Sequence, residues 1–173
     1  MNRIRPLVYC ALLAALTAVC AQLSLPIGPV PISLGTFGVM LCGLLLGWRY
    51  GALSVLCYVL LGLVGVPVFA GLRGGVNVLA GATGGYIVGY LPYAVLAGLP
   101  PLGGRDTFWG RCLMLALGTL VCYALGTAWF MAQSGNPLGA SLSMCVLPFL
   151  PGDAAKIALA AFLAPRLRKA LRM

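Results

Sequence analysis

The chain has 173 residues, 62% of them apolar and only 8% charged, with a net charge of +9 from eleven Lys and Arg against two acids. A soluble domain runs nearer half apolar and a quarter charged, so an ordinary solution fold is excluded and the apolar surplus reads as a protein whose solvent is lipid. The cations sit in short gaps between apolar runs, where they report membrane topology rather than nucleic-acid binding.

Six apolar runs follow in chain order. The first, 7–25, comes after the basic tail Met1-Asn2-Arg3-Ile4-Arg5. It is longer than the usual ~7–15 residue core of a secretory signal, and Val19 fits poorly before Cys20 as a lipoprotein cleavage site. It is therefore read as a retained span in preference to a cleaved leader. Runs 32–47, 51–66, 79–99, 108–131 and 142–165 follow, separated by turn-forming stretches such as Pro26-Ile27-Gly28-Pro29-Val30-Pro31 and Trp48-Arg49-Tyr50. Lipid offers no partner for backbone polar groups, so the runs are helices. The second and third give only ~24 Å of helix each, short of a ~30 Å hydrocarbon layer.

The expectation is one all-α integral membrane domain, 1–173, with six transmembrane helices. Alternate gaps carry Arg3, Arg5, Arg49, Arg105, Arg111, Arg166, Arg168, Lys169 and Arg172 on one side, against Arg73 alone on the other. That asymmetry puts both termini in the cytoplasm. The seven cysteines form no Cys-x-x-Cys pair and lie mostly in apolar runs, so they are read as free thiols. The lack of histidine removes the commonest metal ligand and proton shuttle, and no metal site is expected.

Polar groups are expensive in lipid, so function is sought among them. Asp106, beside Arg105, reads as a solvated loop charge. Asp153 and Lys156, in Pro151-Gly152-Asp153-Ala154-Ala155-Lys156, stand three apart on one helix face. Such groups at mid-helix cost ~2.5–3.5 kcal/mol each and normally face a polar cavity. A buried ion pair that only orders the bundle is the alternative. Asp153 lies about 20 Å of helix from Arg166, hence in the outer half of the membrane. Pro148 and Pro151-Gly152 break the span before it, so the carboxylate begins a fresh segment whose free N–H groups and dipole favour an anion.

A glycine-rich stretch from Pro67 to Tyr86 reads as a tight or capping loop on the same outer side. Asn77 supplies a donor and an acceptor there, and Phe69 and Tyr86 supply rings. In the first run Ala11-x-x-x-Ala15 and Ala14-x-x-x-Ala18 form a small-residue stripe for close helix packing, inside the bundle or against a partner.

Pro29-Val-Pro-Ile-Ser-Leu34, Gly43-Leu-Leu-Leu-Gly47, Gly65-Val-Pro-Val-Phe-Ala-Gly71, Thr83-Gly84-Gly85-Tyr86 and Pro151-Gly-Asp-Ala-Ala-Lys156, in this order, resemble the BioY family. These are the biotin-specific, substrate-binding S components of energy-coupling factor transporters. The resemblance implies an S-component-like bundle in the bacterial plasma membrane that captures biotin near its outer face. It implies a transmembrane coupling subunit and cytoplasmic ABC-type ATPases as partners. In the family, the Asp and Lys of the last span contact the biotin head group, which carries over to Asp153 and Lys156, with Asn77 a further contact. The docking motif of the first span maps to Ala11 and Ala15. Gly35 and Ala82 depart from the family pattern, which has Gln and Pro there, and they bear on the pocket contour.

The chemistry of the residues suits that ligand. A cyclic urea offers N–H donors to a carboxylate and a carbonyl to an ammonium. The valerate carboxylate of the ligand that the resemblance implies needs a donor, for which Arg73 or loop N–H groups are candidates. No phosphate-cradling Gly-x-x-x-x-Gly-Lys loop exists, so ATP belongs to partner subunits and this chain binds no cofactor. The rival readings are a solitary proton-coupled carrier titrating Asp153, an S component for another small vitamin, and a membrane-embedded enzyme. The last lacks any nucleophile–base constellation, and no catalytic residue is expected.

Overall fold

The first apolar run forms an unbroken helix, α1 (Ile4–Gln22), with Leu13, Ala14, Thr17 and Ala21 on its buried side. A computed structural model describes residues 4–26, 30–101 and 106–171. Arg3, Arg105 and Arg172 of the charge count, and Ile27, Gly28 and Pro29 of the first turn, lie outside the described residues. Two short antiparallel strands, β1 (Ser24–Leu25) and β2 (Ile32–Ser33), pair Ser24 with Ser33 and return the chain to the bundle. Then come α2 (Gly35–Leu63), α3 (Val76–Ala80), α4 (Gly84–Gly98), α5 (Phe108–Ser134), α6 (Leu138–Cys145) and α7 (Leu150–Ala170).

The all-helical class is as expected, but the elements divide the expected runs differently. Helices α1, α2 and α5 are long and apolar enough to cross a membrane, and the bent pair α6–α7, with a 52° break, makes a fourth. The expected fourth run is split between the one-turn α3 and the 15-residue α4. The expected second and third runs, apart from their outer ends, both fall in α2. Gly47 leaves the helical region there (φ 76°, ψ 176°), a conformation open to glycine but costly for other residues.

The chain doubles back at this point. Cys42 and Ser54 would be ~18 Å apart along a straight helix, yet Cys42 Sγ lies 3.5 Å from Ser54 Oγ. The arms 35–46 and 48–63 therefore pack side by side. Gly51 permits this approach, since a Cβ there would lie 2.7 Å from the Cys42 carbonyl oxygen.

Helix α2 packs against α1 and α4, α4 against α5, and α7 against α2 and α5. Buried hydroxyls find carbonyl partners: Thr17 donates to Leu13 O of its own helix at 2.8 Å, and Ser54 donates across to Cys10 O of α1 at 2.7 Å. At the Gly47 end of the bundle, Asp106 is a joint rather than an isolated solvated charge. Its carboxylate meets Arg111 at 2.8 Å and Arg168 at 3.5 Å. Arg168 Nε also donates to Leu44 O at 2.8 Å, placing a cation at the carbonyl end of the first α2 arm. Arg111 donates to Ala161 O, which ties α5 to α7.

Gly51→Val is expected to force the two arms apart and cost at least ~1–3 kcal/mol by overpacking. Thermal unfolding in detergent should show a clear loss for Gly51→Val and little for Gly139→Ala, since Gly139 has open space around its Cβ position.

Candidate functional site

The break between α6 and α7 sets up the site. Phe149 caps α7, and the Asp153 N–H makes an early helical bond to Phe149 O at 2.8 Å. Asp153 thus sits in the first turn, where the helix dipole favours a carboxylate. Asp153 and Lys156 are both buried, at 3% and 7% exposure, and Lys156 Nζ lies 2.8 Å from Asp153 Oδ1. The i, i+3 pairing expected from sequence is present.

Neighbouring elements add hydrogen bonds to both charges. Tyr123 of α5 donates its hydroxyl to Asp153 Oδ2 at 2.6 Å. Lys156 also donates to Ser33 O at 2.6 Å and to Thr36 Oγ1 at 3.1 Å. All three ammonium protons have partners, whereas a carboxylate with about four acceptor positions and two protein donors keeps two free. A buried pair is tolerated in an apolar bundle only when its remaining polar capacity is met in this way.

Two adjoining lobes form the cavity. The inner one is lined by Asp153, Lys156, Tyr123, Thr36, Tyr93 and Phe149 among others. The outer one is bordered by Phe69, Arg73, Thr83, Ile87 and Tyr58. Val30, Pro31, Ser33, Tyr86 and Tyr90 border both lobes. The walls are mostly aromatic and aliphatic, with the charged pair at one end and Arg73 at the other.

The glycine-rich loop is held as a cap. Phe69 and Arg73 exchange backbone hydrogen bonds, at 2.9 and 3.3 Å, across a turn at Gly71 and Leu72. Gln22, at the end of α1, donates to Pro67 O and Phe69 O and accepts from Leu72 N at 2.9 Å. Phe69 is buried edge-on to Tyr58, with ring centroids 5.6 Å apart. A Cβ on Gly62 would fall 2.1 Å from the Phe69 ring, so only glycine leaves room for it.

Of the residues singled out from sequence, Asp153, Lys156, Phe69, Arg73, Thr83 and Tyr86 border the cavity. Tyr86 presents its ring, its hydroxyl being spent on Cys145 O at 3.3 Å, and Thr83 spends its hydroxyl on Val78 O. Two residues fall elsewhere. Asn77 is exposed on α3 and lines neither lobe, because that short helix runs over the outer surface. Gly84 serves packing: a Cβ there would overlap Leu79 O, at 1.7 Å. Ala11 and Ala15 lie on the exposed face of α1, while Ala14 faces the bundle.

Sequence reasoning missed Tyr123, Ser33, Thr36, Tyr90 and Tyr93. It priced charges in lipid but passed over hydroxyls. Tyr86, Tyr90 and Tyr93 fall at i, i+4 and i+7, a helix-face stripe that was open to detection.

The BioY family model matches residues 1–173. A probable biotin transporter BioY of Pyrococcus horikoshii is 43% identical over 158 residues, covering 91% of this chain and 93% of its own length. A biotin transporter BioY of Thermotoga maritima is 38% identical over 165 residues, covering 95% and 96%. The fold is similar to a crystal structure of the S-component for biotin from an ECF-type ABC transporter, with a TM-score of 0.90 and 35% identity. That match covers 98% of this chain and 95% of the other.

Asp153→Ala strands the Lys156 ammonium in the bundle and is expected to cost ~3–5 kcal/mol, read as a lowered Tm in detergent. Combining it with Lys156→Met should recover most of that loss, because the second change removes the unpaired charge.

Proposed function

The chain belongs to the BioY family, and we propose that it captures biotin for uptake as the substrate-binding S component of an energy-coupling factor transporter. The observation that carries this reading is the buried Asp153–Lys156 pair at the closed end of a two-lobed, mostly apolar cavity. A free acceptor position of Asp153 suits one N–H of a cyclic urea, whose two N–H bonds point to opposite sides of the carbonyl. The urea carbonyl takes an ammonium proton of Lys156, displacing Thr36 Oγ1, the longest of its three contacts. The thioether ring and alkyl chain then lie along Tyr86, Tyr90, Ile87 and Phe69, and the valerate carboxylate meets Arg73 at the outer border. Binding in this way leaves no charge unpaired, which is why the site selects a ligand with an uncharged donor–acceptor head and an anionic tail.

The doubling-back of α2 supports six crossings, with its arms as the second and third and α6–α7 as a broken sixth. The cation asymmetry supports cytoplasmic termini. Ala11 and Ala15, small and exposed on α1, offer the coupling subunit a close-packing face. ATP is hydrolysed on separate cytoplasmic subunits.

Asp153→Asn and Lys156→Ala are each expected to weaken biotin binding at least tenfold, ~1.4 kcal/mol, by calorimetry on purified protein. Unchanged affinity would remove those roles. In liposomes, binding without uptake until the partner subunits and ATP are supplied is expected; uptake by this chain alone that a protonophore collapses would instead establish a solitary carrier. Thr36→Val should tighten biotin binding several-fold. It leaves one ammonium proton unpartnered only in the ligand-free protein, a cost of ~1–3 kcal/mol that the urea carbonyl relieves. Weaker binding by this variant would make Thr36 itself a ligand contact.

A further inference from the structure

Asp153 reaches the cavity from α7, but its carboxylate is aimed from α5. Tyr123 donates to Oδ2 at 2.6 Å, a short bond of the charge-assisted kind, while Lys156 holds Oδ1 at 2.8 Å. No other side chain among the described residues donates to this carboxylate. Two nearby hydroxyls are committed elsewhere: Thr119 donates to Leu115 O at 3.0 Å, and Tyr93 bonds Thr119 at 2.8 Å. Tyr123 is itself buried, and its one proton is spent on Asp153, so it offers the cavity no donor of its own.

The two bonds oppose one another. Lys156 draws the carboxylate along α7, toward a closer, two-oxygen contact that would consume its free acceptor positions. Tyr123 pulls the second oxygen toward α5 and keeps those positions directed to the ligand. We propose that Tyr123 is a positioning residue that determines specificity: by holding Asp153 away from full engagement with Lys156, it makes the site demand an unsubstituted N–H from a cyclic urea. This inference rests on the reading of Asp153 and Lys156 as the urea contacts. A merely structural Tyr123 would stabilise the bundle without caring which ligand is bound.

The test is calorimetry, with displacement of labelled biotin for weak ligands, on the full chain in detergent. Biotin and its 1′-N-methyl and 3′-N-methyl analogues are compared on the native protein, Tyr123→Phe and Asp153→Asn. Tyr123→Phe is expected to weaken biotin about tenfold, the scale of one hydrogen bond to a charged group. It should weaken the analogue lacking the N–H that meets Asp153 less than about twofold, since that ligand never used the contact. The native preference for biotin over that analogue then shrinks. Equal losses for all three ligands, or an unchanged biotin affinity, would overturn the proposal. Should Tyr123→Phe fail to fold, 3-fluorotyrosine at position 123 keeps the ring and strengthens the donor, and it should widen the preference; a preference it leaves unmoved overturns the proposal too. Full biotin affinity in Asp153→Asn would instead remove the urea reading itself, a separate result.

Discussion

A carboxylate and an ammonium held out of water inside an apolar bundle constrain everything around them. Neither is tolerable alone in such surroundings, and the pair is tolerable only because α2, α5 and β2 each contribute a polar atom to it. That requirement explains the break between α6 and α7, which starts a new helix where the dipole supports Asp153. It also explains why β2 leads directly into α2: Ser33 O and Thr36 Oγ1 must both reach Lys156. The site is thus a junction of four elements, α7 with α2, α5 and β2, rather than a decoration of one.

The remainder of the bundle makes that junction rigid at modest cost. Glycines at 51, 62 and 126 remove side chains where another element needs the space, for backbone in the first case and for the Phe69 and Tyr86 rings in the others. At the far end, Asp106, Arg111 and Arg168 use charges and free carbonyls to fasten α2, α5 and α7 together. Helix α7 is therefore joined to α2 at two levels, through Lys156 and through Arg168. The second junction lies near the Gly47 bend, where the carbonyls of a broken helix have no helical partners.

Much of this was legible in the residues before any coordinates. The apolar runs announce helices in lipid, and the rarity of charge singles out Asp153 and Lys156 as an opposed pair three residues apart within the last run. The proline and glycine before Asp153 predict a helix start there, and α7 does begin at Leu150. What escaped was whatever depends on neighbours distant in sequence. Asn77 looked functional from its chemistry, but the loop geometry that leaves it outside the cavity is set by Gln22, some fifty residues away from the end of the turn it holds. Tyr123 was hidden for the opposite reason: a tyrosine within an apolar run is unremarkable until the fold shows which acid its hydroxyl meets. The Gly47 reversal was half visible, as a gap between two runs, though not the closeness of the arms it joins.

Gln22 joins two parts of the molecule with different neighbours. Its amide belongs to the last turn of α1, whose opposite face is bare, yet it grips Pro67, Phe69 and Leu72, and Phe69 is a wall of the cavity. Helix α1 cannot turn about its long axis without either dragging that aromatic wall or severing three hydrogen bonds. Whatever leans on the outside of α1 therefore has a lever, one side chain long, on the chamber within.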